Sequence, residues 1–182
     1  MKIFISILRG INVSGQNRIL MTDLKILYER LTFEDVTSYI QSGNIIFKTA
    51  LELSNQELAK KIEQAIYDKY NFVVPVIIRS LEEIKDIISS NPFIEEEDIN
   101  TEKLHITFLA EKPNETYLQS INNVDYPPDK FIIINKEVFL YCPGSYGETK
   151  FSNKFFENKL RVSATTRNWK TINKLFEIAA NK

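Results

Sequence analysis

The chain has 182 residues, of which 43% are hydrophobic and 26% charged, a composition typical of a globular protein and not of a disordered one. The net charge of −1 excludes a global attraction to nucleic acid or to membrane. The single cysteine, Cys142, excludes an intramolecular disulfide, so we expect a reducing, cytoplasmic location. The apolar stretch of residues 1–9 is too short for a signal peptide or a membrane-spanning helix.

The first 80 residues predict the element order β, α, β, β, α, β, which is that of a ferredoxin-like unit. The connection after the first strand, residues 10–20, is long because most such loops have about 2–6 residues. Ser54 and Glu57 form a capping box that opens the second helix, and Pro75 places the fourth strand at a sheet edge. The predicted strands cover residues 2–9, 36–40, 45–49 and 73–79, and the predicted helices cover residues 21–31 and 54–70.

The remaining residues predict a second, related α+β half in the order β, α, β, β, α, α, as if its last strand were lost or replaced. Its predicted strands cover residues 104–109, 131–134 and 138–141, and its helices cover residues 114–121, 152–160 and 166–180. We expect a first half at residues 1–80, a helix and acidic linker at 81–103, and a second half with two C-terminal helices at 104–182. The predicted fold class is therefore α+β.

Three glycine-bearing or polar segments point to a ligand site. In a ferredoxin-like unit the first two strands run parallel, with the third antiparallel between them. The loop at residues 10–20 and the hairpin at residues 41–44 should therefore be neighbours at one edge of the sheet. Glycines let backbone approach a ligand closely. Turns also favour amides and glycines, which explains the hairpin better than the long loop. The candidate ligand-binding residues at this edge are Arg9, Asn12, Gly15, Gln16, Asn17, Arg18, Gln41, Ser42 and Asn44.

The third segment precedes the last predicted helix. Thr165 or Thr166 is a candidate helix N-cap, and Arg167 would add positive charge beside free N–H groups, as in an anion site. We therefore add Thr166, Arg167 and Asn168 to the candidate ligand-binding residues. The alternative is a capped helix that packs Trp169 in the core, with Arg167 paired to an acidic stretch.

Charge is unevenly distributed along the chain. Residues 82–102 contain eight acids and one base, whereas residues 150–174 contain seven bases and one acid. Both stretches are explained by solvated helical faces. The C-terminal stretch is also a candidate basic patch for an anion or for nucleic acid.

Three segments carry a family resemblance: LRGINVSGQN at residues 8–17, YIQSGNIIF at residues 39–47 and ATTRNW at residues 164–169. They are similar to the signature stretches of the bacterial family of domain of unknown function 1697. The typical family pattern has Gly-Gly-Lys where this chain has Ser14, Gly15 and Gln16. The resemblance implies an α+β fold of two ferredoxin-like halves and implies no established activity.

The inventory of reactive side chains is small. We predict no metal site, because one histidine and one cysteine fall short of the three or four ligands that zinc requires. A nucleophilic Cys142 would need His105 as its base. Both lie at the ends of predicted strands, which leaves a contact open but does not support it. No cofactor is implied, and no acid–base pair identifies an enzyme.

Three functions remain open. The first is binding of a polar or anionic small molecule at the edge formed by the loop and the hairpin. The second is nucleic-acid binding through the C-terminal basic patch, and the third is a structural or oligomerising role. No membrane partner is expected, and the sequence does not define the oligomeric state.

Overall fold

The structure, a computed structural model, describes residues 1–13 and 15–182. It contains two compact units, one formed by Met1–Lys85 with Lys174–Lys182 and the other by Asp86–Asn173. Each unit has one four-stranded antiparallel sheet. The predicted α+β class with two related halves is therefore confirmed.

The elements of the first unit's sheet and its helices are β1 (Lys2–Leu8), α1 (Met21–Arg30), β2 (Glu34–Tyr39), β3 (Asn44–Thr49), α2 (Asn55–Tyr70), β4 (Val76–Ser80) and α3 (Leu81–Ser89). The first sheet has the strand order β2-β3-β1-β4, with β1 antiparallel to both β3 and β4. Strands β1 and β2 are thus parallel, with β3 between them, as predicted. Pro75 directly precedes β4, which lies at the sheet edge.

The core of the first unit lies between α1, α2 and one face of this sheet. Phe33 and Phe47 stack at 4.4 Å between ring centroids, and Tyr28 is fully buried beside them. The Tyr28 hydroxyl shares a 2.8 Å hydrogen bond with Ser6, which satisfies both buried polar groups. The predicted capping box of Ser54 and Glu57 opens α2. These contacts hold β1 and β3, which lead into the predicted site.

The remaining elements are a 3-10 turn (Thr101–Lys103), β5 (Leu104–Leu109), α4 (Glu115–Gln119), β6 (Lys130–Ile134), β7 (Glu137–Tyr141), α5 (Asn153–Leu160), β8 (Ala164–Asn168) and α6 (Trp169–Ala180). The second sheet has the strand order β6-β7-β5-β8, which matches that of the first. The core of the second unit is rich in phenylalanine, including Phe131, Phe151 and Phe156. No helix among the described residues is long and apolar enough to cross a membrane.

The prediction of a helix beginning at residue 166 was wrong. Residues 164–168 form β8, which pairs with β5 from Leu109↔Ala164 to His105↔Asn168. The β-branched side chains of Thr165 and Thr166 favour a strand. The helix starts at Trp169, and the Oδ1 of Asn168 accepts a hydrogen bond from the Thr171 N–H at 2.8 Å. The second half therefore keeps its last strand and repeats the βαββαβ order.

Candidate functional site

The loop at residues 10–20 is closed by its own hydrogen bonds. Asn17 donates from Nδ2 to the Gly10 carbonyl at 3.1 Å, and the Asn12 N–H donates to the Asn17 carbonyl at 3.2 Å. Nearer the tip, the Gln16 N–H donates to the Val13 carbonyl at 3.0 Å. Ser14, part of the segment that carries the family resemblance, lies outside the described residues. These hydrogen bonds fold the long connection, and we call residues 10–20 the tongue.

Asn12 ties this tongue to the hairpin. Its Nδ2 donates to the carbonyl oxygens of Ile19 at 2.9 Å and Gln41 at 3.0 Å, and its Oδ1 accepts from the Ile19 N–H at 2.9 Å. Its own backbone is left-handed, with φ 56°. Asn12 is thus committed to holding the two segments together.

Gly43 packs directly against the start of the tongue. The Leu8 N–H donates to the Gly43 carbonyl at 2.8 Å. A Cβ at Gly43 would lie 2.6 Å from Cδ1 of Ile11 and 2.8 Å from Cβ of Leu8, closer than real Cβ atoms approach. The predicted packing of the loop against the hairpin is therefore present. We call residues 9–20 and 40–44 together the rim.

The predicted site residues of the rim differ in their exposure to solvent. Asn44 is fully buried and donates from Nδ2 to the Tyr39 carbonyl and to Ser42 Oγ, at 3.2 and 3.0 Å, so it closes the hairpin. The other predicted site residues of the rim are accessible to solvent. Four are exposed, namely Gly15, Gln16, Arg18 and Gln41, and four are half-buried, namely Arg9, Asn12, Asn17 and Ser42.

The backbone of the rim is unusually left-handed. Six of its described residues have positive φ, including Ile40 at 53°. A left-handed β-branched residue costs about 1–2 kcal/mol, and such strain concentrates at functional sites. The others are Gly10, Asn12, Gly15, Asn17 and Gly43.

The rim carries positive charge without an acid of its own. Residues 9–20 and 40–44 contain two arginines, Arg9 and Arg18, and no Asp or Glu. Left-handed turns also gather backbone N–H groups into concave nests that bind anions. Arginines and nests of N–H groups are the kinds of group that can hold an anion.

Thr166, Arg167 and Asn168 form the end of β8, directly before α6, so the residue that caps this helix is Asn168 and not the predicted Thr165 or Thr166. The Thr166 hydroxyl donates a hydrogen bond to Asn153 Oδ1 at 2.7 Å and shares one with the Thr107 hydroxyl at 2.6 Å. Burial lowers the pKa of the Arg167 guanidinium to about 10, which leaves it cationic at neutral pH. Arg167 belongs to the second unit and Arg9 to the first, so their joint site stays a prediction.

A pair of repeated arginines was missed by sequence reasoning. Arg79 is the next-to-last residue of β4 and pairs with Ile5, and Arg167 is the next-to-last residue of β8 and pairs with Ile106. Each donates from Nη1 to the carbonyl of the preceding residue, at 2.9 and 2.8 Å respectively. Arg79 is fully buried. The sequence did not show this repeat, because Arg167 fell inside the helix predicted at residues 166–180, whereas in the structure each arginine stands two residues before a helix.

Burial affects both reactive side chains of the second unit, Cys142 and His105. Burial raises the pKa of the Cys142 thiol to about 11, so Cys142 is a neutral thiol at pH 7. His105 stacks on Tyr146 at 4.7 Å, and burial lowers the pKa of its imidazole. Among the described residues, no three His, Cys, Asp or Glu side chains are grouped so that they could hold a metal ion.

Comparison with known proteins identifies the family of the chain. A family model described as protein of unknown function (DUF1697) matches residues 1–139. The solved structure of the conserved bacterial protein SP0830 from Streptococcus pneumoniae is similar over 98% of both chains, with a TM-score of 0.73 and 24% sequence identity. This structural likeness concerns the fold. No curated protein matches the chain.

Proposed function

The chain belongs to the DUF1697 family of proteins of unknown function, and we propose that it is a cytoplasmic protein that binds a polar, anionic small molecule at the rim. The observation that carries this proposal is the charge of the rim, which has two arginines and no acid. Charge-assisted hydrogen bonds to an anion are about twice as strong as neutral ones. The proposal concerns binding and assigns no reaction.

The rim residues divide their work between holding the site and contacting the ligand. The buried or tied amides of Asn12, Asn17 and Asn44 fix the backbone. The guanidinium groups of Arg9 and Arg18 would then supply charge. The amides of Gln16 and Gln41, both exposed, would supply neutral hydrogen bonds. A fixed backbone with polar side chains at its surface is an ordinary arrangement for a binding loop.

Calorimetric titration with inorganic pyrophosphate and with citrate, two compact polyanions, tests this proposal. We expect Arg9→Gln and Arg18→Gln each to weaken binding about tenfold, because each removes a charge-assisted hydrogen bond. Arg30→Gln, an exposed change at the end of α1, is the matched control and should leave the affinity unchanged.

Two results would reject the proposal. One is the absence of binding of either anion at millimolar concentration. The other is equal affinity in the wild-type protein and in the Arg9→Gln, Arg18→Gln double variant. Binding of a DNA duplex that weakens steeply with salt and ignores both rim variants would instead support the C-terminal basic patch.

The rim also exposes apolar side chains, which favours an oligomerising role as the second candidate. Val13 is 59% exposed, Leu20 68% and Ile40 48%. Contiguous exposed apolar patches mark protein contacts, whereas isolated exposed apolar residues do not. Sedimentation velocity tests this role. Leu20→Ser should dissociate any oligomer, whereas Ile26→Ser, a matched change of an exposed apolar residue on α1, should not. A monomer at all concentrations would rule it out.

A further inference from the structure

Strand β6 is an open edge of the second sheet. Within the described residues the sheet ends at β6, which pairs only with β7. Its exposure alternates along the strand, and Ile132 is 39% exposed and Ile134 36%. The outer backbone groups of such an edge are available to a further strand.

The corresponding edge of the first sheet, β2, is protected. Its register shifts between Glu34 and Thr37, and it carries two acids. Lys182 also donates from Nζ to the Asp35 carbonyl at 2.6 Å and to Thr37 Oγ1 at 2.9 Å. Bulges, charges and covering segments are the usual ways to block an edge. Strand β6 pairs with β7 without a register shift and has only Lys130 as a charged residue.

A cavity of about 500 Å³ runs along the open edge of β6. It is lined by the consecutive residues 129–133 of that strand and its approach. Four consecutive residues of β6 line the cavity, and because successive side chains of a strand point to opposite faces, the cavity reaches the edge of the strand as well as the face next to α4. The opposite wall includes Glu115 and Leu118 of α4 and Asp125 of the following loop.

The charged side chains that line this cavity favour a basic occupant. Three carboxylates line it, from Glu115, Asp125 and Asp129. Lys130, the cation among the described lining residues, already pairs with Glu96 at 2.9 Å. A second copy of the chain placed edge to edge would bring a second set of carboxylates to the same groove, and like charges repel. A basic partner would be attracted.

We propose that the groove along β6 binds an extended peptide segment rich in lysine or arginine, which adds as a fifth strand to the second sheet. Main-chain hydrogen bonds to β6 would supply affinity, as in other strand-addition complexes. Alternate side chains of the peptide would pack on Ile132 and Ile134, and basic side chains would face Glu115 and Asp125. This site lies in the second unit and is independent of the rim.

The probe is an acetylated, amidated hexapeptide of alternating Lys and Val, titrated into ¹⁵N-labelled full-length protein and followed by amide chemical shifts. We expect saturable shifts centred on Lys130–Ile134. Methylation of alternate peptide nitrogens should weaken binding at least about tenfold, because it removes main-chain donors. Glu115→Gln and Asp125→Asn should each weaken it about threefold, as removal of an exposed ion pair does. Glu111→Gln, an exposed carboxylate outside the groove, is the control.

Several results would overturn the proposal. They are shifts that leave β6 untouched, equal binding of the N-methylated peptide, and equal binding of a hexapeptide of alternating Glu and Val. A concentration-dependent dimer in which the β6 amides shift without peptide would show that a second copy occupies the edge, and would also contradict the proposal. Specific binding of the basic peptide alone, lost on N-methylation, would support it.

Discussion

Asn12 combines a left-handed backbone with three side-chain hydrogen bonds, two to Ile19 within the tongue and one to the Gln41 carbonyl of the hairpin. We predict that Asn12→Ala lowers the free energy of unfolding by about 2–4 kcal/mol, because it removes these bonds and strains an alanine at positive φ. Asn12→Gly should cost less, since glycine accepts this φ. Urea denaturation of both variants measures the difference. A loss below about 0.5 kcal/mol for the alanine variant would show that Asn12 does not hold the rim, and equal losses in the two variants would show that the positive φ adds no strain.

Cys142 provides a prediction about pH. Burial raises the pKa of its thiol to about 11 in the folded protein, above the ordinary value of 9. The unfolded chain therefore releases this proton first as pH rises, and stability is lost from about pH 9 upward, by at most about 1.4 kcal/mol per pH unit. The stability of a Cys142→Ala variant should decline less between pH 9 and 11 than that of the wild-type protein. Parallel profiles from chemical denaturation across this range would contradict the buried-thiol assignment.

At the scale of elements, substitutions of Gly15 and Gly43 allow the stability cost of backbone strain to be measured apart from the cost of overpacking. Gly43 and Gly15 have nearly the same φ, 77° and 78°, but an added Cβ would meet neighbouring atoms only at Gly43. We predict that Gly15→Ala costs about 1–2 kcal/mol of stability from strain alone. Gly43→Ala should cost about 1–3 kcal/mol more, because the added methyl meets Leu8 and Ile11. Thermal or urea unfolding of both variants would refute the packing of loop on hairpin if the two losses were equal.

The same scale shows what the sequence could and could not predict. The element order to residue 80, the edge position of β4 and the meeting of loop and hairpin follow from periodicity, Pro75 and topology, and the structure has all three. Strand β8 was mistaken for a helix because Thr165 and Thr166 also suit an N-cap, and only pairing with β5 decides between the two. The roles of Asn12 and Asn44 were hidden because an amide that holds a turn and one that contacts a ligand look alike in sequence.

At the scale of the whole chain, the last residue is tied to β2 of the first unit. Lys182 has an 8% exposed side chain and donates from Nζ to Asp35 Oδ1 at 2.7 Å, and Lys48 lies 3.1 Å from Asp35 Oδ2. Hydrogen bonds from Lys182 and then from Lys48 lower the pKa of Asp35. Because Asp35 and Lys182 are 147 residues apart in the sequence, local sequence patterns could not predict this contact.

We predict that Asp35→Asn lowers the free energy of unfolding at pH 7 by about 1 kcal/mol, the size expected of a partly exposed ion pair. Because the folded pKa of Asp35 lies below its ordinary 3.8, this contribution is present above that pH and is lost as the pH falls through the folded pKa. The two proteins should therefore converge in stability as the pH is lowered below 3.8. Glu52→Gln, an exposed change in the same unit, is the control. A difference between Asp35→Asn and wild type that persists unchanged at low pH would contradict the ion pair.

The measurement that tests the central claim most directly is a titration of ¹⁵N-labelled protein with inorganic pyrophosphate, read by amide chemical shifts. If the rim is an anion site, saturable shifts should concentrate on the backbone N–H groups of Gly10, Gly15, Gln16 and Gly43. These shifts should disappear in the Arg9→Gln, Arg18→Gln double variant. Shifts confined to the basic residues of α5, or no saturable shifts at millimolar pyrophosphate, would contradict the assignment of the rim as the ligand site.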